Sequence, residues 1–464
     1  MGNPTNEKVD LLLFGGQIVT ESSKFKGQLA IKNGKIHGIY DLKDDIKATR
    51  KIDMTNKTII PGVIDSHVHF CKPSPNSYKK DYYHETQAAA AGGITTVIEM
   101  PLSIPPVIDK KSFNLKLDTH KNEAFIDFGF WGAVIPYSIK NIEELHEAGC
   151  LGFKGFMAPH DKYSNIKNHD LLEAMKKIAE IDNVFAIHAE DEDLIRYFTE
   201  KYQKKAENNG EIYAKTHPII SEIEAIRRVL LFAKETGCRT HIVHLSCVKG
   251  AQFIKEAKED GVDISVETCP HYLRLDLEDL KREGIYAKCE PPLRTRDNVE
   301  ELWEYVKDGT IDYIASDHSS FTDERRKGES EDIWEAPPGL AGLETLLPIM
   351  MDEGVYKRDI GLKRLVQLTS TNVAKRFGIY PQKGSLKIGS DADLTILDLN
   401  ETWDYTGADS FAKTKSTNNP YEGSKFKGRI KYTIVRGNIV YKDHEIIGSP
   451  GWGNYVYKQN LNKD

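Results

Sequence analysis

The chain has 464 residues and a formal net charge of −7, from 63 Lys and Arg against 70 Asp and Glu. This mildly acidic balance argues against a nucleic-acid-binding protein, which usually presents a basic domain or stripe. No segment reaches the roughly 18 consecutive apolar residues of a membrane helix, and the first residues lack the apolar centre of a secretory signal. We therefore expect a cytoplasmic protein whose partners include neither nucleic acid nor a membrane.

The cysteines are too sparse for a disulfide scaffold. There are six of them in the chain, and no two form a Cys-x-x-Cys pair. This spacing favours a reducing compartment, and it disfavours zinc bound by clustered thiolates. The cysteines are Cys71, Cys150, Cys238, Cys247, Cys269 and Cys289.

Short strand-like runs occur at both ends of the chain. The glycine pair at 15–16 and the Arg-Gly-Asn segment at 436–438 supply turns between some of them. Two β-rich ends around a different middle predict one discontinuous domain, a small β-sandwich formed by residues 1–58 and 379–464. The runs are residues 10–14, 17–20, 28–31 and 35–39 near the start, and 393–397, 432–435 and 438–441 near the end.

The middle of the chain, residues 59–378, alternates apolar runs with amphipathic helical segments. Eight strand–helix units over about 300 residues predict an α/β fold of the (β/α)8 TIM-barrel type. A doubly wound sheet is the alternative, but it requires a glycine-rich phosphate turn after its first strand, and none follows the first run. The eight runs are residues 63–69, 95–100, 128–134, 152–157, 184–188, 240–244, 263–268 and 313–317.

Two histidines end the first barrel run. In such a barrel, catalytic groups gather at the carboxyl ends of the strands. His67 and His69 are two residues apart, so both point to the same face of a strand and suit one divalent metal ion. Two buried histidines satisfied by hydrogen bonds are the structural alternative. Asp65 lies close enough in sequence to orient an imidazole.

A lysine lies inside the fourth apolar run. A buried cation costs several kcal/mol unless it is paired or neutralised. Lys154 therefore either forms a salt bridge with a carboxylate at the barrel mouth or loses its proton. In the second case it can take up CO2 and become a carbamate, an anion that bridges two metal ions.

Three further strand ends carry groups able to bind a metal ion. His188 and His244 end the fifth and sixth runs, and Asp317 ends the eighth. Each of them taken alone has an ordinary structural explanation. Together with His67, His69 and Lys154 they predict a two-metal site at the carboxyl ends of five barrel strands.

Five motifs accompany these residues and carry a family resemblance. The chain resembles the amidohydrolase superfamily, specifically its cyclic-amide branch of dihydropyrimidinase, hydantoinase, allantoinase and dihydroorotase. The resemblance extends over essentially the whole chain. Its motifs are Pro-Gly-x-Ile-Asp-x-His-x-His at 61–69, Ala-Ala-Gly-Gly-Ile-Thr-Thr at 90–96, Glu-Thr-Cys-Pro-His-Tyr-Leu at 267–273, Ser-Asp-His at 316–318 and Lys-Ile-Gly-Ser-Asp-Ala-Asp-Leu at 387–394.

The resemblance implies a role for each candidate ligand. It implies that His67, His69 and Asp317 bind the more buried metal ion and that His188 and His244 bind the second. Lys154, carboxylated by CO2, would bridge both together with a hydroxide. Zinc is the expected metal, with cobalt, manganese or iron as alternatives. Asp317 would move the proton in the reaction, and the family implies a homotetramer.

Within the branch, the chain looks closest to allantoinase. The support is the Met-Pro-Leu-Ser segment at 100–103, Pro159 at a position where hydantoinases usually have tyrosine, and Ser319 where they often have cysteine. The expected substrate is a cyclic ureide, allantoin, which would be opened to allantoate. The resemblance also implies substrate contacts from the Pro-Pro-Leu-Arg loop and from near the end of the barrel, by residues Cys289, Glu290, Pro291, Ser319 and Gly339.

Some positions depart from the family pattern, and alternatives remain open. Cys71 and Lys72 replace the usual Asn/Arg-Glu, and the missing arginine argues against dihydroorotase activity. Glu290 is unusual at its position. It would suit a ureido N–H donor, or it points to solvent or pairs with Arg294. A hydantoinase or dihydropyrimidinase is the alternative enzyme, and a metal-free scaffold is disfavoured because all six ligands are present.

Overall fold

A computed structural model describes residues 7–70, 81–158, 164–204 and 208–459. The sequence predictions that concern Cys71, Lys72 and Pro159 therefore lie outside the described residues. In the described part of the chain, no helix is both long enough and apolar enough to cross a membrane. The five cysteines in this part are all free and buried.

The chain begins with seven short strands. In β5 alternate residues are buried, as in a sheet with one face against a core. Strands β5, β4, β1 and β6 form a four-stranded sheet in that order. The strands are β1 Val9–Phe14, β2 Gln17–Val19, β3 Lys24–Lys26, β4 Gln28–Lys32, β5 Lys35–Tyr40, β6 Ala48–Asp53 and β7 Thr58–Pro61.

Eight parallel strands follow, and their order in the sheet is their order in the chain. A parallel bridge between Val68 and His318 joins the first strand to the segment after the last, and the His69 N–H donates to the His318 carbonyl oxygen at 2.8 Å. This confirms the predicted (β/α)8 barrel. The strands are β8 Val63–Val68, β9 Ile94–Glu99, β10 Asp127–Val134, β11 Gly152–Phe156, β12 Val184–His188, β13 Arg239–Ile242, β14 Ile264–Thr268 and β15 Tyr313–Ile314.

Helices cover the barrel strands and connect them. In α4 the buried residues recur at helical spacing and form one apolar face against the barrel. The α-helices are α1 Asp81–Ala91, α2 Lys110–His120, α3 Ile142–Ala148, α4 Asn168–Glu180, α5 Glu192–Gln203, α6 Gly210–Thr216, α7 Ile219–Thr236, α8 Val248–Glu259, α9 Pro270–Arg274, α10 Leu277–Glu283, α11 Arg296–Asp308, α12 Asp323–Lys327, α13 Leu346–Ile349, α14 Gly361–Val366 and α15 Asn372–Arg376.

Shorter helical turns complete the connections. Three segments form 3-10 turns, and two near the end of the barrel form π-helical turns. The 3-10 turns are Ile139–Asn141, Gly284–Tyr286 and Gly407–Asp409, and the π-helical turns are Met350–Tyr356 and Gln367–Thr371.

The chain ends in four further strands, which are β16 Leu394–Asp404, β17 Lys425–Val435, β18 Asn438–Lys442 and β19 Glu445–Ile446. They join β7, β2 and β3 in a seven-stranded sheet. Strands β16 and β7 pair antiparallel, with Leu394 opposite Pro61. The two ends of the chain therefore share one sheet, as the sequence predicts. The domain boundaries at residues 58/59 and 378/379 stay predictions.

A buried charge cluster ties the barrel to the C-terminal strands. The Lys383 ammonium contacts the carboxylate of Asp127 on β10 and lies 3.0 Å from Asp391 and 2.7 Å from Asp393. These three acids are close enough together to hold a metal ion. Three cations already balance their charge, however, because Lys35 also pairs with Asp391 and Arg436 with Asp127. We therefore treat the cluster as a structural ion-pair network.

Candidate metal centre

Three of the predicted ligands meet at the mouth of the barrel. The Nε2 atoms of His67 and His69 lie 3.1 Å and 3.2 Å from Oδ1 of Asp317. The two imidazole centroids are 5.2 Å apart. One ligand atom from each residue falls within 4.8 Å of the others, so the three could hold one metal ion. His69 follows the end of β8, and the contact of both rings with Asp317 places the two histidines on the same side, as predicted.

The other two histidines continue this cluster. The His188 and His244 rings are 4.5 Å apart, and His244 lies 5.4 Å from His67. His188 Nε2 lies 2.9 Å from the buried Glu190 carboxylate, which also contacts His217 Nδ1 at 3.1 Å. Nδ1 of His188 is then the ring nitrogen left to bind a metal ion.

Lys154 lies in β11 beside this cluster, with only 1% of its surface exposed. Its Nζ atom has no hydrogen-bond partner among the described residues, so the alternative of a salt bridge at the barrel mouth is not seen there. Burial lowers the pKa of Lys154 to about 7, although the carboxylates of Glu267 and Asp317 act in the opposite direction. A buried amine with these properties fits carboxylation and fits a bridging ligand between two cations.

Two of the candidate ligands have a left-handed backbone. The φ angle is 38° at His244 and 50° at Asp317, a conformation that costs a non-glycine residue about 1 kcal/mol or more. Burial alone would raise the pKa of Asp317, but His67, His69 and His244 hold it well below its ordinary value. Asp317 is therefore a carboxylate at neutral pH and can serve as a ligand or a proton acceptor.

The acid that orients His67 differs from the one expected. Asp65 Oδ1 accepts backbone N–H groups, at 3.2 Å from His67 N and 3.1 Å from Ser316 N. The carboxylate that contacts the imidazole is Glu267, whose Oε1 lies 2.5 Å from His67 Nδ1. The expectation for Asp65 was wrong because its carboxylate accepts the backbone N–H groups of His67 and Ser316 instead of an imidazole N–H. Glu267 begins the motif at 267–273, which marks it in the sequence.

Glu290 lies in the expected loop, where its peptide bond to Pro291 is cis. The Tyr213 hydroxyl lies 3.1 Å from Glu290 Oε1 and 3.3 Å from the Cys289 carbonyl. Arg294 instead donates to the His217 carbonyl, to Ser246 and to Glu222. The prediction that Glu290 pairs with Arg294 is thus wrong. Its contact with Tyr213 was not predicted from the sequence.

The remaining predicted substrate residues pack against one another. Gly339 has a φ of +135°, and a Cβ there would lie 2.5 Å from Ser319 Cβ. Its N–H donates to the Lys288 carbonyl at 2.9 Å, which brings the loop of Cys289 and Pro291 beside it. The fold therefore collects these residues on one side of the barrel mouth.

The fold and the cluster together define a class, the barrel enzymes that use metal ions for hydrolysis. The chain belongs to the amidohydrolase family, whose model matches residues 58–440. This membership confirms the resemblance predicted from the motifs. The family is metal-dependent, in agreement with the candidate ligands at the strand ends.

Named relatives extend over nearly the full chain. An allantoinase of Rubrobacter xylanophilus is 36% identical over 97% of this chain and 98% of its own. An L-hydantoinase of Paenarthrobacter aurescens is 34% identical over the same shares. Among solved structures, an L-hydantoinase (dihydropyrimidinase) from Arthrobacter aurescens matches with a TM-score of 0.93 and 33% identity, covering 97% of this chain and 100% of that one.

Proposed function

We propose that this protein hydrolyses a C–N bond of a cyclic ureide and that its reaction is the opening of allantoin to allantoate. The observation that carries the proposal is the cluster of His67, His69 and Asp317 with the buried, unpartnered Lys154 amine beside it. Similarity to allantoinases of Rubrobacter xylanophilus and Deinococcus radiodurans, each 36% identical, favours allantoin. Hydantoin opening to an N-carbamoyl amino acid is the second candidate, favoured by the similarity to L-hydantoinase.

We assign the ligands of two divalent metal ions. His67, His69 and Asp317 would hold one ion, His188 and His244 the other, and Lys154, carboxylated by CO2, would contact both. Imidazole and carboxylate ligands suit zinc and also accept cobalt, manganese or iron. When bound, such ions lower the pKa of water so that hydroxide exists at neutral pH, and they polarise a carbonyl group.

Asp317 is the residue that moves the proton. Oδ1 contacts both His67 and His69, so Oδ2 is the oxygen left to accept a proton from the attacking water. Its pKa lies well below the ordinary value, so at neutral pH the side chain is an ionised carboxylate, the form that can accept a proton. It then delivers this proton to the leaving ring nitrogen.

Substrate contacts come from the loop side of the mouth. We assign them to Cys289, Glu290, Pro291, Ser319 and Gly339. Allantoin carries a ureido arm with N–H donors, and a carboxylate held in place by Tyr213 is a matching acceptor. A hydantoin without the ureido arm would leave the Glu290 carboxylate without a hydrogen-bond donor. Glu290 therefore favours allantoin as the substrate.

A substrate comparison tests the proposal. One metal-loaded sample is assayed with allantoin, hydantoin and dihydrouracil, and ring opening is followed by chromatography of the products. We expect kcat/KM for allantoin to exceed the other two by at least about tenfold, because only allantoin fills the acceptor at Glu290. A preference for hydantoin or dihydrouracil would show that allantoin is not the substrate, but cyclic-amide hydrolysis would stand. No hydrolysis of any of the three would overturn both the substrate and the reaction.

We further propose that the protein works in the cytoplasm as a homotetramer on a small-molecule substrate. Support comes from family resemblance and from the sparse cysteines. Sedimentation velocity of the metal-loaded protein measures the assembly, with a single species of about four chains expected. A monomer at working concentration would contradict the tetramer and would leave the chemistry unaffected.

A further inference from the structure

A second group of ligand atoms lies on the other side of Asp317. Cys269 Sγ, a ring nitrogen of His271 and a carboxylate oxygen of Asp317 all fall within 4.8 Å of one another. Cys269 ends the connection from β14, and His271 follows within the first turn of α9. Neither Cys269 nor His271 belongs to the proposed catalytic metal ligands.

The imidazole of this group has an unmet polar atom. His271 is 3% exposed, and its Nε2 has no hydrogen-bond partner among the described residues. Buried polar atoms in proteins are nearly always paired, so an unpaired ring nitrogen requires an explanation. A bound cation supplies one, because the nitrogen lone pair becomes a ligand.

The donor set differs from that of the catalytic cluster in its sulfur. Cys269 is fully buried, and a thiolate with an imidazole and a carboxylate selects softer cations than oxygen ligands do. At zinc bond lengths of about 2.0–2.3 Å, the ligands of one tetrahedral ion are about 3.3–3.8 Å apart. The three ligand atoms lie within 4.8 Å of one another, so they need to close by at most about 1.5 Å to hold one ion.

We propose that Cys269, His271 and Asp317 form an inhibitory site for a thiophilic divalent cation, such as cadmium or zinc in excess. On binding, the Cys269 sulfur–hydrogen bond breaks, the proton leaves to solvent and a sulfur–metal bond forms, with no oxidant or reductant involved. The cation takes the Asp317 carboxylate, so that residue can no longer accept the proton of the attacking water. The inhibition rests on the proposed function, but the binding does not.

Cadmium binding tests the site without an activity assay. The zinc-loaded enzyme is titrated with Cd2+, and thiolate-to-cadmium charge-transfer absorption is recorded. We expect about one cadmium per chain to give this absorption, with Cys269→Ser abolishing it and His271→Asn weakening cadmium binding by about tenfold or more. Cys238→Ser serves as the control, because Cys238 precedes β13 at the opposite end of the barrel, and it retains the signal.

Inhibition is measured on the same proteins, each against its own rate without cadmium. The half-inhibitory Cd2+ concentration is expected to rise about tenfold or more in Cys269→Ser and in His271→Asn. Circular dichroism of each variant checks that it is folded. Unchanged charge-transfer absorption in folded Cys269→Ser would overturn the site, whatever the activity. Cadmium charge-transfer absorption without inhibition would overturn the inhibitory role. If the protein shows this absorption but hydrolyses none of the substrates, the result counts against the proposed function alone.

Discussion

His67 Nδ1 lies 2.5 Å from Glu267 Oε1, with both side chains almost fully buried. The contact determines which ring nitrogen carries hydrogen, because a carboxylate accepts and the imidazole must donate to it. Nε2 of His67 therefore has its lone pair available, and this atom faces Asp317. Glu267 also lies 3.2 Å from His241, so one buried acid supports two rings of the barrel interior.

Glu267→Gln tests this orienting contact. We predict a loss of about 10–100-fold in metal affinity, the usual effect of removing a group that orients a metal-binding histidine. Competition with a chelator measures the affinity, and the solvent-exposed Glu259→Gln is the matched control. Unchanged affinity in Glu267→Gln would show that packing alone holds the His67 ring.

Lys154 gives a prediction that depends on dissolved CO2. The metal-free protein is mixed with zinc in CO2-depleted buffer and in buffer with bicarbonate. We expect activity to return only with bicarbonate, because the lysine carbamate forms from the neutral amine and CO2, and its pKa of about 7 makes that amine available. Lys154→Ala should lose at least about 1,000-fold in kcat/KM in either buffer. Equal recovery in both buffers would refute the carbamate.

Glu290 gives a prediction about substrate choice. Glu290→Gln keeps an acceptor oxygen but loses the charge, so we predict about a tenfold loss in kcat/KM for allantoin, corresponding to about 1.4 kcal/mol. Hydantoin lacks the ureido arm, and its kcat/KM should change by less than about twofold. Tyr213→Phe removes the hydroxyl that contacts Glu290 and should act in the same direction. Equal losses for both substrates would show that Glu290 shapes the loop and does not contact the arm.

Lys458 gives a prediction about stability and pH. Burial, together with Arg239 and Arg376, lowers its pKa to about 7 against the opposing charge of Asp182. Between pH 7 and 10 the unfolded chain keeps this proton and the folded chain does not, so stability rises with pH in this window. In Lys458→Met that rise should shrink by on the order of 3 kcal/mol. Chemical denaturation at several pH values measures the free energy of unfolding of both proteins. An equal rise with pH in Lys458→Met and in the unmodified protein would contradict the lowered pKa of Lys458.

Much of the barrel could be predicted from sequence because its strands are buried on both faces and read as apolar runs. β8 and β12 coincide with such runs almost to the residue. By contrast, β6 was missed because Ala48–Asp53 is mostly polar and exposed. β3 was missed because Lys24–Lys26 has a single apolar residue between two exposed lysines, too little to show an apolar pattern.

The candidate ligands could be predicted because strand ends are visible in the sequence, and the fold does bring His67, His69 and Asp317 together. The residues that contact and orient these candidate ligands could not be predicted in the same way. Glu267 contacts His67 across 200 residues of chain, and Glu190 contacts His217 across 27. Tyr213 reaches Glu290 from a helix 77 residues earlier. These contacts depend on tertiary distances, whereas the contact of Glu190 with His188 spans only two residues.

Metal content and ring opening measured on the same sample test the central claim most directly. Metal-free protein is titrated with zinc in bicarbonate buffer, and bound zinc and allantoin turnover are recorded at each step. We predict that turnover rises with bound zinc and levels off at about two ions per chain. Less than about one bound zinc per chain, together with no hydrolysis of allantoin, hydantoin or dihydrouracil, would contradict the account.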